Sequence, residues 1–543
     1  MSVTADEEPD DDLNTMFNRL NHRGGEDRID TAHVDELVWE VNAARASTPQ
    51  KKGATRSVDH PSLIQAYDNE WEYWAPIFQK EIDQIERFKS RRQVCFEDIP
   101  KGEPIIPFLV DLKRIWLPSG ELKKGKCRIL VNGVLQDDDG KEHFSPTPSY
   151  QMLMLLIAIA TLLDLEISGD DVVGAFLMTP LAKPEYGVLP PLFTDQRGNR
   201  VYWELLSGFY GRKSASEEFW NFISGILVAA GYKRVASNAC AFYKSRDKDF
   251  FFSVLYVDNA YSIATDPAMR KEFEDILKGH FEMTHEDDAD TILGMSVQHL
   301  EDGGRMLTMP KAIDEVLRAC FGEEWFKGEL TPMSTTFDDA EANRSPRLSP
   351  ERVSWLRGVL GQLGFIIYSR PCISFAQNKL STRVNASTEY DEKSVKRVAR
   401  FLALTQHLGV TFHPLKQTNS RSQALLLRTY ADAAYAVHPD GRSHAGLCAS
   451  LGDNGSGMFF VKSGKIKTVC DSSTGAEIEA QHRMTQWTIW ITEFLDLVEI
   501  QYRKPVPLEG DNNSAQQVCT EYCGLTKRLR HMLVKINFVM ERV

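Results

Sequence analysis

A chain of 543 residues is too long for one core and sized for two to four domains. Its 42% apolar and 26% charged content excludes a fibrous or wholly disordered protein. The net charge of −13 excludes a uniformly basic nucleic-acid binder but not a basic groove on one face. Residues 1–60 carry 13 acids against 7 Lys/Arg and few aromatics, which predicts a disordered acidic extension with one helix near Val34–Ala44. Apolar residues at helical spacing then run over Pro61–Lys89. Short β runs follow at Ile105–Val110 and Lys126–Val131, then helices at Tyr150–Leu163 and Ser216–Gly231. The apolar stretch Met152–Leu163 is too short to span a bilayer, and the acidic N-terminus is no secretory signal, so the expectation is an intracellular, non-secreted chain without membrane contact. Nine scattered cysteines fit reduced thiols, and Cys519/Cys523 lack a second pair at zinc spacing. A hairpin is predicted from strands Phe250–Val257 and Tyr261–Ala264, with Asp258-Asn259 at its tip. Asp266-Pro267 then open a helix. A polar connection near Gly328–Pro350 leads to helices at Val353–Leu380 and Ser394–Leu408. The end of the chain reads as strands Leu425–Ala431, Ala445–Ala449 and Met458–Lys462, a helix Thr474–Leu497 and a strand ending at Asp511.

Two constellations could carry chemistry. Asp171 and Asp258 sit on separate β elements, where paired carboxylates can hold Mg²⁺, a cation that prefers oxygen ligands. By spacing alone the plain turn is the better reading of Asp-Asn, because both residues tolerate left-handed backbone. Asp432, Glu477 and Asp511 lie at element ends, 45 and 34 residues apart, and could converge on two metals or be unrelated surface acids. Ser472-Ser473-Thr474 reads as a helix cap, His280, His285 and His299 as solvated, and Trp487 and Trp490 as core.

These residues lie in segments that resemble the reverse transcriptase of copia-type LTR retrotransposons. The likeness runs from about Ser62 to the last residue, about nine-tenths of the chain. Lys126-Cys127-Arg128-Ile129-Leu130-Val131-Asn132-Gly133 is similar to the family's Lys-x-Arg-Leu-Val-x-x-Gly strand. Phe144-Ser145-Pro146 falls where the family has Phe-Ser-Pro, and Asp171 to Leu177 resembles Asp-Val-x-x-Ala-Phe-Leu. Phe209 to Ser216 resembles Leu-Tyr-Gly-Leu-Lys-Gln-Ala-Pro, Tyr256-Val257-Asp258-Asn259 the Tyr-Val-Asp-Asp box, and Ile292-Leu293-Gly294-Met295 the Phe-Leu-Gly-Ile turn. Asp-Ala-Asp-Trp, Ser-Ser-Thr-Glu-Ala-Glu and Cys-Asp-Asn-x-Ser-Ala are echoed around Asp432, Glu477 and Asp511.

The resemblance implies an α+β chain: a right-hand polymerase with fingers and palm over 61–330, thumb and connection helices over 331–424, and an α/β ribonuclease H-like domain over 425–543. It implies Asp171, Asp258 and the Val172 carbonyl as metal ligands, with Asn259 completing the catalytic box. Lys126 and Arg128 would meet the triphosphate, Phe176 the incoming sugar, Tyr210 and Gly211 the nucleotide pocket, and Leu293-Gly294 the primer end. Asp432, Glu477 and Asp511 would hold metal in the last domain. The implied cofactor is Mg²⁺ or Mn²⁺, two ions per site; the implied partners are dNTPs and an RNA or DNA template with primer, in the cytoplasm (within a virus-like particle) or the nucleus. Ser214, Ser216, Ala434 and Gly475 depart from the pattern away from the implied metal ligands, and two further departures fall on metal sites. Asn259 stands for the second Asp of the box, and Leu533 for the acid in the family's Lys-His-Ile-Asp segment. Each removes a charge from a metal site, so a nucleic-acid-binding descendant without turnover is the alternative expectation.

Overall fold

The structure, a computed structural model, describes residues 58–116, 122–136, 140, 143–195, 197–322, 324–334, 337, 339–415, 424–452, 456–521 and 527–542. Of the disordered extension expected over residues 1–60, residues 1–57 with the helix near Val34–Ala44 lie outside the described residues, as does Cys523, whereas Val58–Asp59 form a strand paired with Arg114 and Ile115. Two compact units divide the chain, Met1–Ser145 with Gly174–Ile223, and Pro146–Val173 with Ser224–Val543. They cut the chain differently from the divisions at 61–330, 331–424 and 425–543.

In the first unit Ser62 caps helix Leu63–Arg87, its hydroxyl accepting the Gln65 N–H at 3.2 Å. The helix buries Ala66, Trp74 and Ile85, and packs on strand Leu122–Val131. A sheet runs in the order Val58–Asp59, Ile105–Trp116, Pro180–Val188, Tyr202–Ser207, Arg91–Val94, with Leu122–Val131 paired to Ile105–Trp116. The strand expected at Ile105–Val110 continues to Trp116 because its second half has a full antiparallel partner in Leu122–Val131. Its start pairs in parallel with Tyr186–Val188 instead. Phe108, Ile129, Trp203 and Phe209 fill the core beneath.

In the second unit a six-stranded sheet runs Met283–Glu286, Ser168–Val172, Asn259–Ala264, Asp249–Tyr256, Asn238–Arg246, Lys233–Val235. Helix Pro267–Lys278 covers it with Met269, Phe273 and Leu277, capped by Asp266. Helix Tyr150–Leu162 is apolar on every face, and its surroundings say why. It packs on strands Asp249–Tyr256 and Asn259–Ala264 and also on Val410–Phe412 and Met458–Lys465, so no face meets water. One core therefore joins this sheet to the elements that follow as far as Tyr502, while the buried residues between Ala515 and Val539 pack with Ile478 in a separate cluster.

Strands Thr291–Ile292, Met295–His299, Arg305–Thr308 and Val410–Phe412 form a small sheet beside helices Pro310–Phe321, Pro350–Ile366, Ser374–Ser381 and Glu389–Leu404. The helix expected over Val353–Leu380 is two helices. Pro371 supplies no amide and pushes Arg370 out of helical backbone, to φ −132° and ψ 65°. The terminal sheet runs Met458–Lys465, His444–Leu451, Leu427–Ala434, Leu508–Glu509, the last pair parallel. Helix Ser473–Leu497 packs on it, and helices Asn513–Glu521 and Leu533–Met540 pack on that helix. Phe494 meets Phe252 of the six-stranded sheet at 4.8 Å between ring centroids, and the Trp490 indole N–H donates to Ser237 Oγ at 3.0 Å. No helix among the described residues is long and apolar enough to cross a membrane.

Candidate active sites

The hairpin Asp249–Tyr256/Asn259–Ala264 closes between Tyr256 and Asn259, so Val257 and Asp258 form its two-residue tip. This corrects the expected tip Asp258-Asn259 by one residue. Val257 adopts φ +54°, a backbone that branched side chains avoid; strand register outweighs local preference here. Asn259 is thereby the first residue of the returning strand, directly opposite Asp171. The Val172 N–H donates to the Asp258 carbonyl at 2.8 Å, binding the two segments side by side. Asn259 Nδ2 donates to Asp258 Oδ1 at 3.1 Å, so an amide sits against the carboxylate.

One residue back, Asp170 is buried and bonds His285 Nδ1 at 2.8 Å. Burial pushes the Asp170 carboxyl up, opposed by His285. Burial alone would lower His285, but the bonds from Asp170 and Asp287 outweigh it and raise the imidazole. His285 thus supports the strand rather than standing solvated, as the sequence suggested. The Tyr261 hydroxyl accepts the Leu293 N–H at 3.2 Å, tying the hairpin to the Leu293-Gly294 turn, where both residues have positive φ. A side chain on Gly294 would press on Phe365 at 3.3 Å.

The remaining candidates from this likeness lie in the first unit. The Phe176 ring meets Tyr210 edge-on at 5.8 Å, and the Arg128 guanidinium lies 5.0 Å over Tyr210. Gly211 has φ +85° and a Cβ there would strike the Val131 carbonyl at 2.2 Å, so only glycine fits. Arg128 is paired to Glu81, which is buried and accepts the Ile129 N–H at 3.4 Å. Burial raises the Glu81 carboxyl against the pull of Arg128. Lys126, opposite Lys113 on the neighbouring strand Ile105–Trp116, is lowered by burial and then by Arg128, Lys113 and Lys124. Sequence reasoning missed Glu81 and Tyr261. Tyr261 could have been read from its inward position in an alternating strand, whereas nothing in a helix surface pattern marks Glu81 for burial.

At the chain's end Asp432 lies inside strand Leu427–Ala434 rather than after it, Glu477 lies in the second turn of helix Ser473–Leu497, and Asp511 follows strand Leu508–Glu509. Parallel pairing of Tyr430 with Glu509 brings the two strand acids to one end of the sheet. A ligand atom from each of Asp432, Glu477 and Asp511 lies within 4.8 Å of the others. Glu477 is 5% exposed; its Oε1 accepts the Ala433 N–H at 3.3 Å, while its Oε2 is buried without a hydrogen-bond partner. Burial first, then the Asp432 and Asp511 charges, push the Glu477 carboxyl up to about 7. A buried oxygen without a donor, on a carboxylate that belongs to a set of three, is what a hard cation would satisfy. Leu533 opens the helix Leu533–Met540, which is docked on Ser473–Leu497 by Lys535 bonding to buried Glu479.

Residues 117–332 match the family described as reverse transcriptase (RNA-dependent DNA polymerase). The chain is similar to the retrovirus-related Pol polyprotein from transposon RE1 of Arabidopsis thaliana, 26% identical over 434 residues, covering 78% of this chain and 28% of the relative. It is similar to that from transposon TNT 1-94 of Nicotiana tabacum, 24% identical and covering 86% of this chain and 34% of the relative. The chain thus spans about a third or less of the length of these relatives. Among solved structures, a foamy viral protease–reverse transcriptase in complex with double-stranded DNA covers all of this chain and 82% of its own, at 12% identity and TM-score 0.49.

Proposed function

The chain belongs to the copia-type retrotransposon Pol family, and from that membership we propose that it is the segment carrying RNA-directed DNA polymerase and ribonuclease H-like functions. In this reading the hairpin sheet is the palm, the first unit carries the fingers, and the terminal sheet is the ribonuclease H-like part. The observation that carries it is the pairing of Asp171 with the returning strand of the hairpin, held by the Val172–Asp258 backbone bond. Asp171, Asp258 and the Val172 carbonyl would hold divalent metal in the hairpin site, and Asp432, Glu477 and Asp511 in the terminal one. Mg²⁺ or Mn²⁺, when bound, supplies Lewis acidity toward an attacking oxygen and the phosphoryl group. The protein's own part is placement. In the second unit strand pairing fixes the two carboxylates, and Tyr261 holds the Leu293-Gly294 turn. In the first unit Phe176 and Tyr210 pack edge-on, the aromatic pair that would meet a nucleotide. Lys126 is the cation for its triphosphate, with Arg128 already engaged by Glu81. The substrates are dNTPs and a primed RNA or DNA template.

A second reading is favoured by one observation. The Asn259 amide donates to Asp258, so the hairpin site has two carboxylates where the family pattern has three, and metal affinity falls. The chain would then bind primer–template with little turnover. Primer extension on a homopolymer template with Mg²⁺ and with Mn²⁺ separates the two: extension above background supports the polymerase, binding without extension the descendant.

A further inference from the structure

The sheet of the first unit ends at strand Arg91–Val94, and beside that edge lies a cavity of about 1160 Å³. Arg92, Glu204 and Tyr186 form one row across three neighbouring strands on its floor. Glu204 is buried and accepts from Arg92 Nε at 2.6 Å and from the Tyr186 hydroxyl at 3.3 Å. The wall adds Glu97, Asp98, Asp195 and Arg200, giving four carboxylates against two guanidiniums. Phe96, 51% exposed, and Tyr202 stand 5.5 Å apart at its rim.

The edge itself is open among the described residues: strand Arg91–Val94 pairs only with Tyr202–Ser207. The Leu206 N–H donates to the Ser90 carbonyl at 2.9 Å. Antiparallel alternation then turns the backbone groups of Arg92 and Val94 inward, and those of Arg91 and Gln93 outward. An open edge is a template for another strand. The basin's negative balance repels a phosphate backbone and attracts cationic side chains, and the rings of Phe96 and Tyr202 can take an ammonium over their faces.

We propose that this edge and basin bind an extended, lysine- or arginine-bearing peptide segment by strand addition. Backbone bonds to Arg91 and Gln93 would supply register, and alternate side chains would reach the basin. The inference stands apart from the polymerase reading, because none of these residues belongs to either candidate active site.

The test uses the full chain and a fluorescein-labelled Lys-Val-Lys-Val-Lys-Val peptide, read by anisotropy at low salt. Expected are single-site binding, no binding of the Glu-Val counterpart, and no competition by a single-stranded oligonucleotide. Gln93→Pro removes an outward N–H without touching the inner ladder and should weaken binding about tenfold or more. Asp98→Asn with Glu97→Gln should weaken it about fivefold at low salt and less at high salt. The same basic peptide with alternate N-methyl groups cannot add to an edge and should lose binding, which keeps the test decisive if Gln93→Pro misfolds. Failure of the basic peptide to bind, equal binding of the acidic or N-methylated peptide, or displacement by the oligonucleotide would overturn the proposal.

Discussion

The two acid sites are built on opposite principles. At the hairpin, Asp171 and Asp258 are brought together by backbone pairing, and the third position is an amide that hydrogen-bonds one of the carboxylates. At the terminal sheet, three carboxylates converge within 4.8 Å, and the buried one carries an oxygen with no donor. The first site sets an amide donor against one of its acids. The second stores repulsion that a cation would relieve. The two sets therefore differ in what they hold: two carboxylates and an amide at the hairpin, three carboxylates at the terminal sheet.

The largest effect should come from the hairpin. If polymerisation runs there, Asp171→Asn should lower primer extension on the order of a thousandfold while primer–template affinity changes little. An unchanged rate would place the chemistry elsewhere and dissolve the comparison.

The terminal site should announce itself in stability. Its Glu477 carboxyl sits at about 7 when folded, above its ordinary range, so the folded chain holds a proton that the unfolded chain has released. Stability linked to Glu477 is thus fully present below about pH 4.5 and is lost as pH rises through 7. Glu477→Gln should remove that loss and stabilise the metal-free protein at pH 8 by on the order of 2 kcal/mol in denaturant melts. Mn²⁺ should stabilise the natural chain more at pH 8 than at pH 5, and Glu477→Gln should blunt this response. A pH-independent natural chain would contradict the stored repulsion.

How much of this was legible in the residues differs between the sites. Two short β runs predicted the hairpin and the neighbourhood of Asp171, but not its register, because the tip requires Val257 in a backbone that sequence preference argues against. Asp432, Glu477 and Asp511 are too far apart for any spacing rule; only family resemblance suggested that they converge. The break at Pro371 was legible from the proline and was overlooked under a continuing apolar pattern. The all-round apolar helix Tyr150–Leu162 was visible as a run, yet its burial depends on strands of three sheets that lie far along the chain. Glu81 gave no sign of its pairing with Arg128.

A smaller effect is expected from restoring charge where the terminal set already has three acids. Leu533→Asp should raise cleavage of the RNA strand of a hybrid by about tenfold, since one more oxygen ligand mainly helps a second, weaker ion. If Asp432→Asn cleaves as well as the natural chain, the terminal cluster is not the nuclease site.

Asn259 decides between the two readings of the hairpin site, and one measurement tests its role most directly: Mg²⁺-dependent primer extension by Asn259→Asp beside the natural chain, at matched primer–template occupancy. Removing the amide bond to Asp258 and restoring the missing charge should raise the rate on the order of a hundredfold, and Mn²⁺ should narrow the gap from the natural chain's side. A variant that binds primer–template yet extends no faster than background would contradict the account, and the defect would then reach beyond one ligand.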